Sequence, residues 1–302
     1  MQVGSETMLQ GDTLEIVADD GVIIRAQVLG SPDAPRLVVG HGNGLAAGGY
    51  ASFWSQLAND YQLVLLDFRG HGRSDSGSIE NHSWPQFEQD FDTVMHTIAD
   101  ELGERTTFGA FHSLSSIVSL MHARRFGTPF ERLVLFDPPI IPEASHPLQP
   151  AHLEEMFGLA RRVARRREQF DHWKELADQF RGNGMFARCL PQACDEMAYA
   201  LLRPVSEQGK EVWRLSCPPA YESKIFASND DTTLWSWLPA LGDRVKLVCA
   251  DPAVSGVQPS AAIALDMTNR LGLNYECVPE TTHFLQLENP DACAAITREF
   301  CQ

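Results

Sequence analysis

Basic residues are scarce in this sequence. Its 302 residues contain 24 Lys and Arg against 40 Asp and Glu, which gives a formal net charge of −16 at pH 7. An excess of acid on this scale repels nucleic acid backbones and anionic lipid headgroups. The composition therefore argues against nucleic acid and membrane surfaces as partners.

Long apolar runs and paired cysteines are also missing. No run approaches the roughly 18 apolar residues of a membrane span, so we expect no stable membrane insertion. The segment from Met1 to Glu15 has neither a basic region nor a long apolar core, and it predicts no secretory signal. The seven cysteines include no C-x-x-C pair, and no histidine has metal-ligand spacing. We expect free thiols, no metal, no cofactor and a cytoplasmic protein.

The apolar residues that are present, 44% of the chain, suffice for a sizeable core. Short apolar runs typical of buried strands alternate with amphipathic helical segments. The predicted strands are 13–18, 22–28, 36–40, 62–67, 107–111, 132–137, 245–250 and 275–278. The predicted helices include 50–59, 115–126, 261–271 and 290–300. This alternation predicts an α/β fold with a mostly parallel, doubly wound sheet.

One long segment, 138–234, interrupts the alternation. It is helical, polar, rich in Arg and Trp, and has no convincing strand. Because it lies between two predicted core strands, we expect a helical cap over the catalytic ends of the sheet. The predicted division is a core domain formed by 1–137 and 235–302, and a cap formed by 138–234.

A serine lies at the turn between a predicted strand and a predicted helix. The stretch Phe111-His112-Ser113-Leu114-Ser115 is typical of a nucleophile elbow, in which the serine Oγ projects from a sharp turn. Small residues usually stand two before and two after this serine, and Ser115 meets the requirement whereas Phe111 does not. Ser115 and Ser116 are weaker candidates, because bulky residues follow two positions later. The alternative is that Ser113 only caps a helix.

Four segments, which follow one another along the chain in a characteristic order, resemble those of a known superfamily. They are His41-Gly42-Asn43-Gly44, the glycine-rich run from Asp67 to Asp75, the Ser113 elbow, and Thr282-His283 followed by Glu288-Asn289-Pro290. From about Leu14 onward, the chain resembles a capped member of the α/β-hydrolase fold superfamily, similar to serine esterases and lipases. The run 67–75 is expected to shape the loop beneath the site.

The resemblance implies roles for four residues besides the acid. Ser113 would attack the substrate, and His283 would take its proton and later return it to the leaving group. The backbone N–H groups of Asn43 and Leu114 would form the oxyanion hole. Glycines around Asn43 let that loop approach a substrate carbonyl closely.

The catalytic acid has two candidates. The position usual in the superfamily holds Ala253, with Asp251 two residues earlier. Asp137 instead ends the strand that follows the elbow, as in superfamily branches whose acid lies on this earlier strand. Both candidates preserve the order Ser, Asp, His. We favour Asp137, and the alternative is that it forms a structural Asp-Pro pair.

Five arginines cluster within one predicted helix of the cap. They are Arg161, Arg162, Arg165, Arg166 and Arg167. A solvated helix face is the favoured interpretation. The alternative is an anion-binding rim for a substrate that carries a phosphate or a carboxylate.

Together these features predict an enzyme that cleaves carboxylic esters through an acyl-enzyme intermediate. The expected substrate is a small acyl ester with an apolar group. A thioester, a lactone or a carbon–carbon bond cleaved by the same triad remains an alternative, as does a cofactor-free dioxygenase or lyase. A non-catalytic binding protein is disfavoured because it needs no triad, and dehalogenases and epoxide hydrolases of this fold need Asp where this chain has Ser113.

Overall fold

The fold is known from a computed structural model, which describes residues 11–182, 184–254 and 258–302. The prediction that 1–15 carries no secretory signal concerns a segment of which residues 1–10 lie outside the described part. Among the described residues, no helix combines the length and the hydrophobicity that crossing a membrane requires.

Eight strands form the central sheet, and all eight lie where the sequence predicts them, to within two residues. They are β1 (Asp12–Val17), β2 (Ile23–Gly30), β3 (Arg36–Gly40), β4 (Gln62–Asp67), β5 (Thr107–His112), β6 (Arg132–Phe136), β10 (Val245–Cys249) and β11 (Asn274–Cys277). Their order is β1-β2-β4-β3-β5-β6-β10-β11. The strands β4, β3, β5, β6, β10 and β11 are parallel, and β2 pairs antiparallel with both β1 and β4. The predicted α/β fold with a mostly parallel sheet is confirmed.

Helices cover both faces of the sheet. The α-helices are α1 (Ala51–Trp54), α2 (Trp84–Leu102), α3 (Leu114–Phe126), α4 (Gln149–Val163), α5 (Trp173–Gly182), α6 (Pro191–Leu201), α7 (Pro219–Ala227), α8 (Thr233–Trp237), α9 (Pro259–Leu271), α10 (Leu285–Glu288) and α11 (Pro290–Phe300). Short 3₁₀ helices cover Ala47–Tyr50, Ser55–Leu57, Gly184–Phe186 and Leu238–Arg244. The predicted continuous helix over 50–59 is wrong, since only α1 is α-helical there.

The core has two halves because side chains alternate across each strand. On β3, Leu37 and Val39 belong to one buried cluster, whereas Val38 belongs to the other. All five residues of β3 and all six of β4 are buried, as expected for strands covered on both faces. The continuous apolar runs in the sequence therefore reflect a sheet that is covered on both sides.

The segment 138–234 is not purely helical, and in this respect the prediction is wrong. Besides helices, it contains a three-stranded antiparallel sheet made of β7 (Gln169–Phe170), β8 (Leu202–Glu207) and β9 (Lys210–Leu215). Helix α8 crosses the predicted boundary between 234 and 235. The segment leaves the core after β6 and returns to it before β10, so it lies between two neighbouring strands of the central sheet.

Candidate active site

Ser113 lies in a strained turn between β5 and α3. Its backbone has φ 52° and ψ −109°, a region that residues other than glycine rarely adopt. The Ser113 N–H donates to the carbonyl of Phe136, which ties the turn to the neighbouring strand β6 (3.0 Å). Such strain persists only where the surroundings impose it, and it is common at functional sites. The turn therefore has the conformation expected of a nucleophile elbow.

Phe111 fits at the elbow because two glycines leave space for its ring. A Cβ added to Gly40 would lie 2.8 Å from the Phe111 ring, and one added to Gly109 would lie 2.4 Å from it. The ring also packs edge to face against Phe91 and Phe130, with centroid distances of 5.6 and 5.4 Å. The missing side chains of Gly40 on the neighbouring strand β3 and of Gly109 on β5 itself thus make room for Phe111, the bulky residue two positions before Ser113.

The two neighbouring serines are held by backbone hydrogen bonds. The Oγ of Ser115 accepts from the His112 N–H and donates to the His112 carbonyl, both at 2.9 Å. The Oγ of Ser116 donates to the Phe111 carbonyl (2.7 Å). Neither hydroxyl contacts an imidazole, whereas that of Ser113 does.

His283 contacts both Ser113 and Asp137. Its Nδ1 lies 2.6 Å from Asp137 Oδ2, and its Nε2 lies 3.0 Å from Ser113 Oγ. A carboxylate only accepts, so Nδ1 carries the proton and Nε2 accepts from the serine hydroxyl. The structure brings the three side chains together in the arrangement Ser–His–Asp.

Asp137 is buried and held by three donors. Besides His283, the Ala250 N–H reaches Oδ1 (3.2 Å) and the Ser260 hydroxyl reaches Oδ2 (3.1 Å). Burial alone would raise the pKa of Asp137, but the hydrogen bond and charge of His283, together with the Ala250 N–H, hold that pKa below its ordinary value. Asp137 is therefore an ionised acceptor that fixes the orientation of the imidazole.

Asp251 does not contact His283. Its carboxylate accepts from the backbone N–H groups of Ala253 (2.9 Å) and Glu280 (3.0 Å). These bonds, that of Glu280 first, lower the pKa of Asp251. Asp251 thus links the loop after β10 to the turn that precedes His283.

Two backbone N–H groups of the site have no hydrogen-bond partner in the part of the chain that the structure describes. In the loop after β3, the N–H groups of Gly42, Gly44 and Leu45 all donate, whereas that of Asn43 makes no hydrogen bond within the described chain. At the elbow, Ser113 and Ser115 both donate through their N–H groups, but Leu114 does not. Asn43 and Leu114 are the two residues that the sequence predicts for the oxyanion hole.

Two buried histidines hold the loop after β3. His41 accepts from the Phe68 N–H (3.0 Å), and His71 accepts from the Gly44 N–H (3.0 Å). Burial lowers the pKa of His41 to about 4 and that of His71 to about 3, so both stay neutral and keep an acceptor nitrogen. The glycine-rich run 67–75 therefore supports the loop after β3, as expected from the prediction that this run shapes the loop beneath the site.

A third buried histidine, His112, links the same loop to His283. His112 Nε2 donates to the His283 carbonyl (2.8 Å), and its Nδ1 accepts from the Tyr50 hydroxyl (2.7 Å). The Tyr50 oxygen in turn accepts from the Gly42 N–H (3.2 Å). Burial lowers the pKa of His112 to about 3, which keeps this tautomer neutral. One chain of hydrogen bonds thus positions both the loop after β3 and the His283 backbone.

Tyr50→Phe is expected to lower kcat and the free energy of unfolding together. The change leaves the Gly42 N–H and His112 Nδ1 without a partner, at about 1–3 kcal/mol for each buried group. Tyr61→Phe is the matched control, because Tyr61 is also buried and donates to the Cys301 carbonyl away from the site (3.0 Å). Urea unfolding and ester kinetics of both variants test this. An unchanged kcat in Tyr50→Phe would contradict the positioning.

Burial of five histidines predicts a loss of stability in acid. Their lowered pKa values are about 4 for His41, 3 for His71, 2 for His82, 3 for His112 and 4 for His152. Below pH 6.5 the unfolded chain binds these protons and the folded chain does not, so the free energy of unfolding falls as the pH falls from 6.5 towards 4. Burial raises the pKa of three carboxyl groups, at Asp67, Asp90 and Glu222. These groups oppose the fall in the free energy of unfolding.

Because the histidines with a lowered pKa, which also include His122, outnumber the three carboxyl groups, the free energy of unfolding should fall by more than about 1.4 kcal/mol per pH unit, the value for one proton. Urea titrations at half-unit steps between pH 6.5 and 4.5 measure this slope. His152→Gln should reduce the slope. His96→Gln is the control and should leave the slope unchanged, because His96 is exposed. A free energy of unfolding that stays constant over this range would contradict the prediction.

Glu222 is a residue that the sequence analysis missed. It is buried on α7, its carbonyl accepts from Asn43 Nδ2 (2.9 Å), and a Cβ on Gly44 would lie 2.3 Å from its carboxylate. Arg166 Nη1 donates to Glu222 Oε2 (2.7 Å). Burial raises the pKa of Glu222, although Arg166 opposes the shift. Asn43 and Glu222 are 179 positions apart, so no local sequence pattern could have linked them.

One group of described residues has the composition of a metal site. Potential ligand atoms of His71, His82 and Cys217 lie within 4.8 Å of one another. His71, however, donates through Nδ1 to the Arg69 carbonyl and accepts through Nε2 from the Gly44 N–H. It therefore offers no vacant lone pair, and the group does not favour metal binding.

A cavity of about 410 Å³ opens at Ser113 and His283. The core and the 138–234 segment both contribute to its wall. Its apolar lining includes Leu45, Pro139, Met156, Leu159, Val163, Leu176, Phe180, Phe186, Leu201, Phe226 and Phe284. The volume and the lining suit a small molecule with an apolar group.

The arginine cluster divides between helix and loop. Helix α4 ends at Val163, so the prediction that one helix carries all five arginines is wrong. Arg161 pairs with Glu154 and Arg162 with Glu155, both at 2.8 Å, and Arg167 pairs with Glu175 at 2.7 Å. Arg162, Arg166 and Arg167 line the cavity.

The family assignment rests on most of the sequence. The sequence model of the alpha/beta hydrolase family matches residues 37–296. The chain belongs to this family. No curated protein matches the sequence. The match includes the loop after β3, the elbow, Asp137 and His283, so the site described above lies within the matched part of the chain.

The solved structures that are similar to this hydrolase are named for several different activities. E-2-(acetamidomethylene)succinate hydrolase is 20% identical, with a TM-score of 0.74 and coverage of 95% of this chain and 98% of that one. The thioesterase domain from the curacin biosynthetic pathway is 16% identical (TM-score 0.72; coverage 94% and 99%). A thermophilic esterase from Thermogutta terrifontis is 17% identical (TM-score 0.66; coverage 96% and 97%). At these identities the similarity establishes the fold alone.

Proposed function

We propose that this hydrolase cleaves carboxylic esters through an acyl-enzyme intermediate. The observation that carries the proposal is the contact of one imidazole, that of His283, with both Ser113 and Asp137. A serine hydroxyl is a weak nucleophile until an adjacent base removes its proton. The three residues have the geometry for this activation, and a cavity opens above them.

The reaction proceeds in two steps. Ser113 Oγ attacks the ester carbonyl while His283 Nε2 takes its proton, and the N–H groups of Asn43 and Leu114 stabilise the oxyanion. The carbon–oxygen bond of the ester breaks, and His283 returns the proton to the departing alcohol. Water then attacks the acyl-enzyme with His283 as base, which releases the acid and restores Ser113. Asp137 orients the imidazole and stabilises its charged form.

The segment 138–234 acts as a cap that selects the substrate. It supplies most of the apolar wall of the cavity, including Met156, Leu159, Phe180 and Phe186. Phe186 stacks between Phe180 and Phe284, with centroid distances of 4.3 and 4.5 Å, and Phe284 follows His283 directly. These rings therefore join the cap to the loop that carries the base. A moderate acyl or alkyl chain is the group we expect this wall to accept.

Hydrolysis of p-nitrophenyl esters from acetate to palmitate tests the proposal. We expect turnover at some chain length, and a burst of about one p-nitrophenolate per active site where deacylation is slow. Mass spectrometry should find a fluorophosphonate probe on Ser113. Labelling without turnover of any ester would contradict the ester assignment and favour thioester, carbon–carbon or cofactor-free chemistry.

A further inference from the structure

The wall of the cavity is positively charged although the protein is strongly acidic. Three arginines line it, Arg162, Arg166 and Arg167, and Glu222 is the acidic residue among its described lining. Three positive charges against one negative charge leave a formal charge of +2 in the wall, whereas the whole chain carries −16. A cavity with low-dielectric walls concentrates the field of its own charges, so the local sign governs what enters.

The arginines keep donors for a ligand. Arg166 uses Nη1 for Glu222, and Arg162 uses Nη2 for Glu155, out of the five N–H donors that each guanidinium carries. The remaining donors of these two side chains make no hydrogen bond within the described chain. A guanidinium presents its donors as a planar fork, which suits the paired oxygens of a carboxylate or a phosphate.

The carboxylate partners of two arginines are easily exchanged. Glu155 and Glu175 lie outside the cavity wall, and their side chains are 32% and 37% exposed. Exposed pairs of this kind are worth about 0–1 kcal/mol, so an anion inside the cavity can replace them at little cost. The pair formed by Arg166 and Glu222 is different, because it is buried against Gly44 and anchors Arg166 beside the loop after β3.

We propose that the natural ester carries an anionic group, a carboxylate or a phosphate, which Arg162 and Arg166 bind while Ser113 attacks the ester carbonyl. This inference rests on the proposed function and adds the substrate class. The apolar wall would contact the carbon chain between the two ends. The interpretation that the sequence favours for the cluster, a solvated helix face, then holds for Arg161, which lies outside the cavity wall.

Paired substrates of equal chain length test the inference. The probes are p-nitrophenyl hemiglutarate, p-nitrophenyl 4-phosphonobutyrate and the neutral p-nitrophenyl valerate. We expect kcat/KM for one anionic ester to exceed that for the neutral ester at least tenfold, and 0.5 M NaCl to reduce this preference. The better of the two anionic esters distinguishes carboxylate from phosphate.

Arg162→Gln and Arg161→Gln form a matched pair of variants. Both arginines stand on α4 and pair at 2.8 Å with a glutamate seven residues earlier, but only Arg162 lines the cavity. Arg162→Gln and Arg166→Gln should each lower the anionic preference about tenfold, the size expected for one charge-assisted hydrogen bond, and Arg162→Lys should restore part of it. Arg161→Gln should leave the preference unchanged.

The outcomes separate this inference from the proposed function. Turnover of the neutral ester equal to or above that of both anionic esters would overturn the anionic class and leave the esterase proposal standing. If no ester is hydrolysed, the anion site can still be tested by calorimetric titration of glutarate and of phosphate into the wild type and into Arg162→Gln. Binding lost in the variant supports the anion site, and no binding to the wild type overturns it.

Discussion

Ser113→Ala is expected to lower kcat for p-nitrophenyl esters by at least about 10⁴-fold. The Ser113 hydroxyl is the one that reaches His283, and without it no acyl-enzyme can form. The N–H groups of Asn43 and Leu114 remain in the variant, so a residual rate above that of water is expected from the proposed oxyanion hole alone. Initial rates on the best chain length measure the effect, and the burst of p-nitrophenolate should disappear.

Ser116→Ala is the matched control for this variant. Ser116 lies at the start of the same helix, is buried, and donates to the Phe111 carbonyl instead of to an imidazole. Removal of its hydroxyl should lower stability with kcat changed less than tenfold. A Ser113→Ala enzyme that retains most of its activity would remove Ser113 from the mechanism and favour chemistry carried by His283 and Asp137 without a serine nucleophile.

The sequence pattern predicts the middle of the central sheet well because strands such as β3 and β4 are buried on both faces. Continuous runs such as 36–40 and 62–67 reflect that burial, and their bounds agree with β3 and β4. The hairpin of β8 and β9 was not predicted because one face is exposed and because Pro204, a residue that argues against a strand, lies within β8. Gly209 was a signal in the sequence for a turn at this place, and in the structure Gln208 and Gly209 both take positive φ at the two-residue turn between the strands.

The elbow could be placed from the sequence, although one of its residues departs from the usual pattern. The space for the Phe111 ring comes from Gly109, two residues earlier on the strand, and from Gly40 directly opposite on β3. The first glycine is visible in the sequence. The second becomes relevant only when the order of the strands is known.

The supporting network beyond the predicted site residues depends on contacts between distant segments. Tyr50 meets His112 from 62 positions away, and Asn43 meets the Glu222 carbonyl from 179 positions away. Neither Tyr50 nor Glu222 stands in a motif. Their contribution follows from burial and from hydrogen bonds that only the folded chain forms, so local periodicity carries no information about them.

Asp137→Asn is expected to lower kcat about 10⁴-fold, with a small change in KM. Asn keeps the size of the side chain but can donate to His283 Nδ1, which favours the tautomer with the proton on Nε2, the nitrogen that must accept from Ser113. The charge that stabilises the imidazolium is lost as well. Because Ala250 and Ser260 also donate to this carboxylate, some loss of stability is expected, and urea unfolding separates it from the catalytic effect.

Asp251→Asn is the matched control, and it decides between the two candidate acids. Among the described residues, the Asp251 side chain accepts from the N–H groups of Ala253 and Glu280, one through each oxygen, and the single amide oxygen of Asn can keep one of these two bonds. We expect kcat to change less than tenfold, since no contact reaches His283. If instead Asp251→Asn abolished turnover and Asp137→Asn preserved it, the acid would be Asp251, and the loop after β10 would have to move towards His283 when substrate binds.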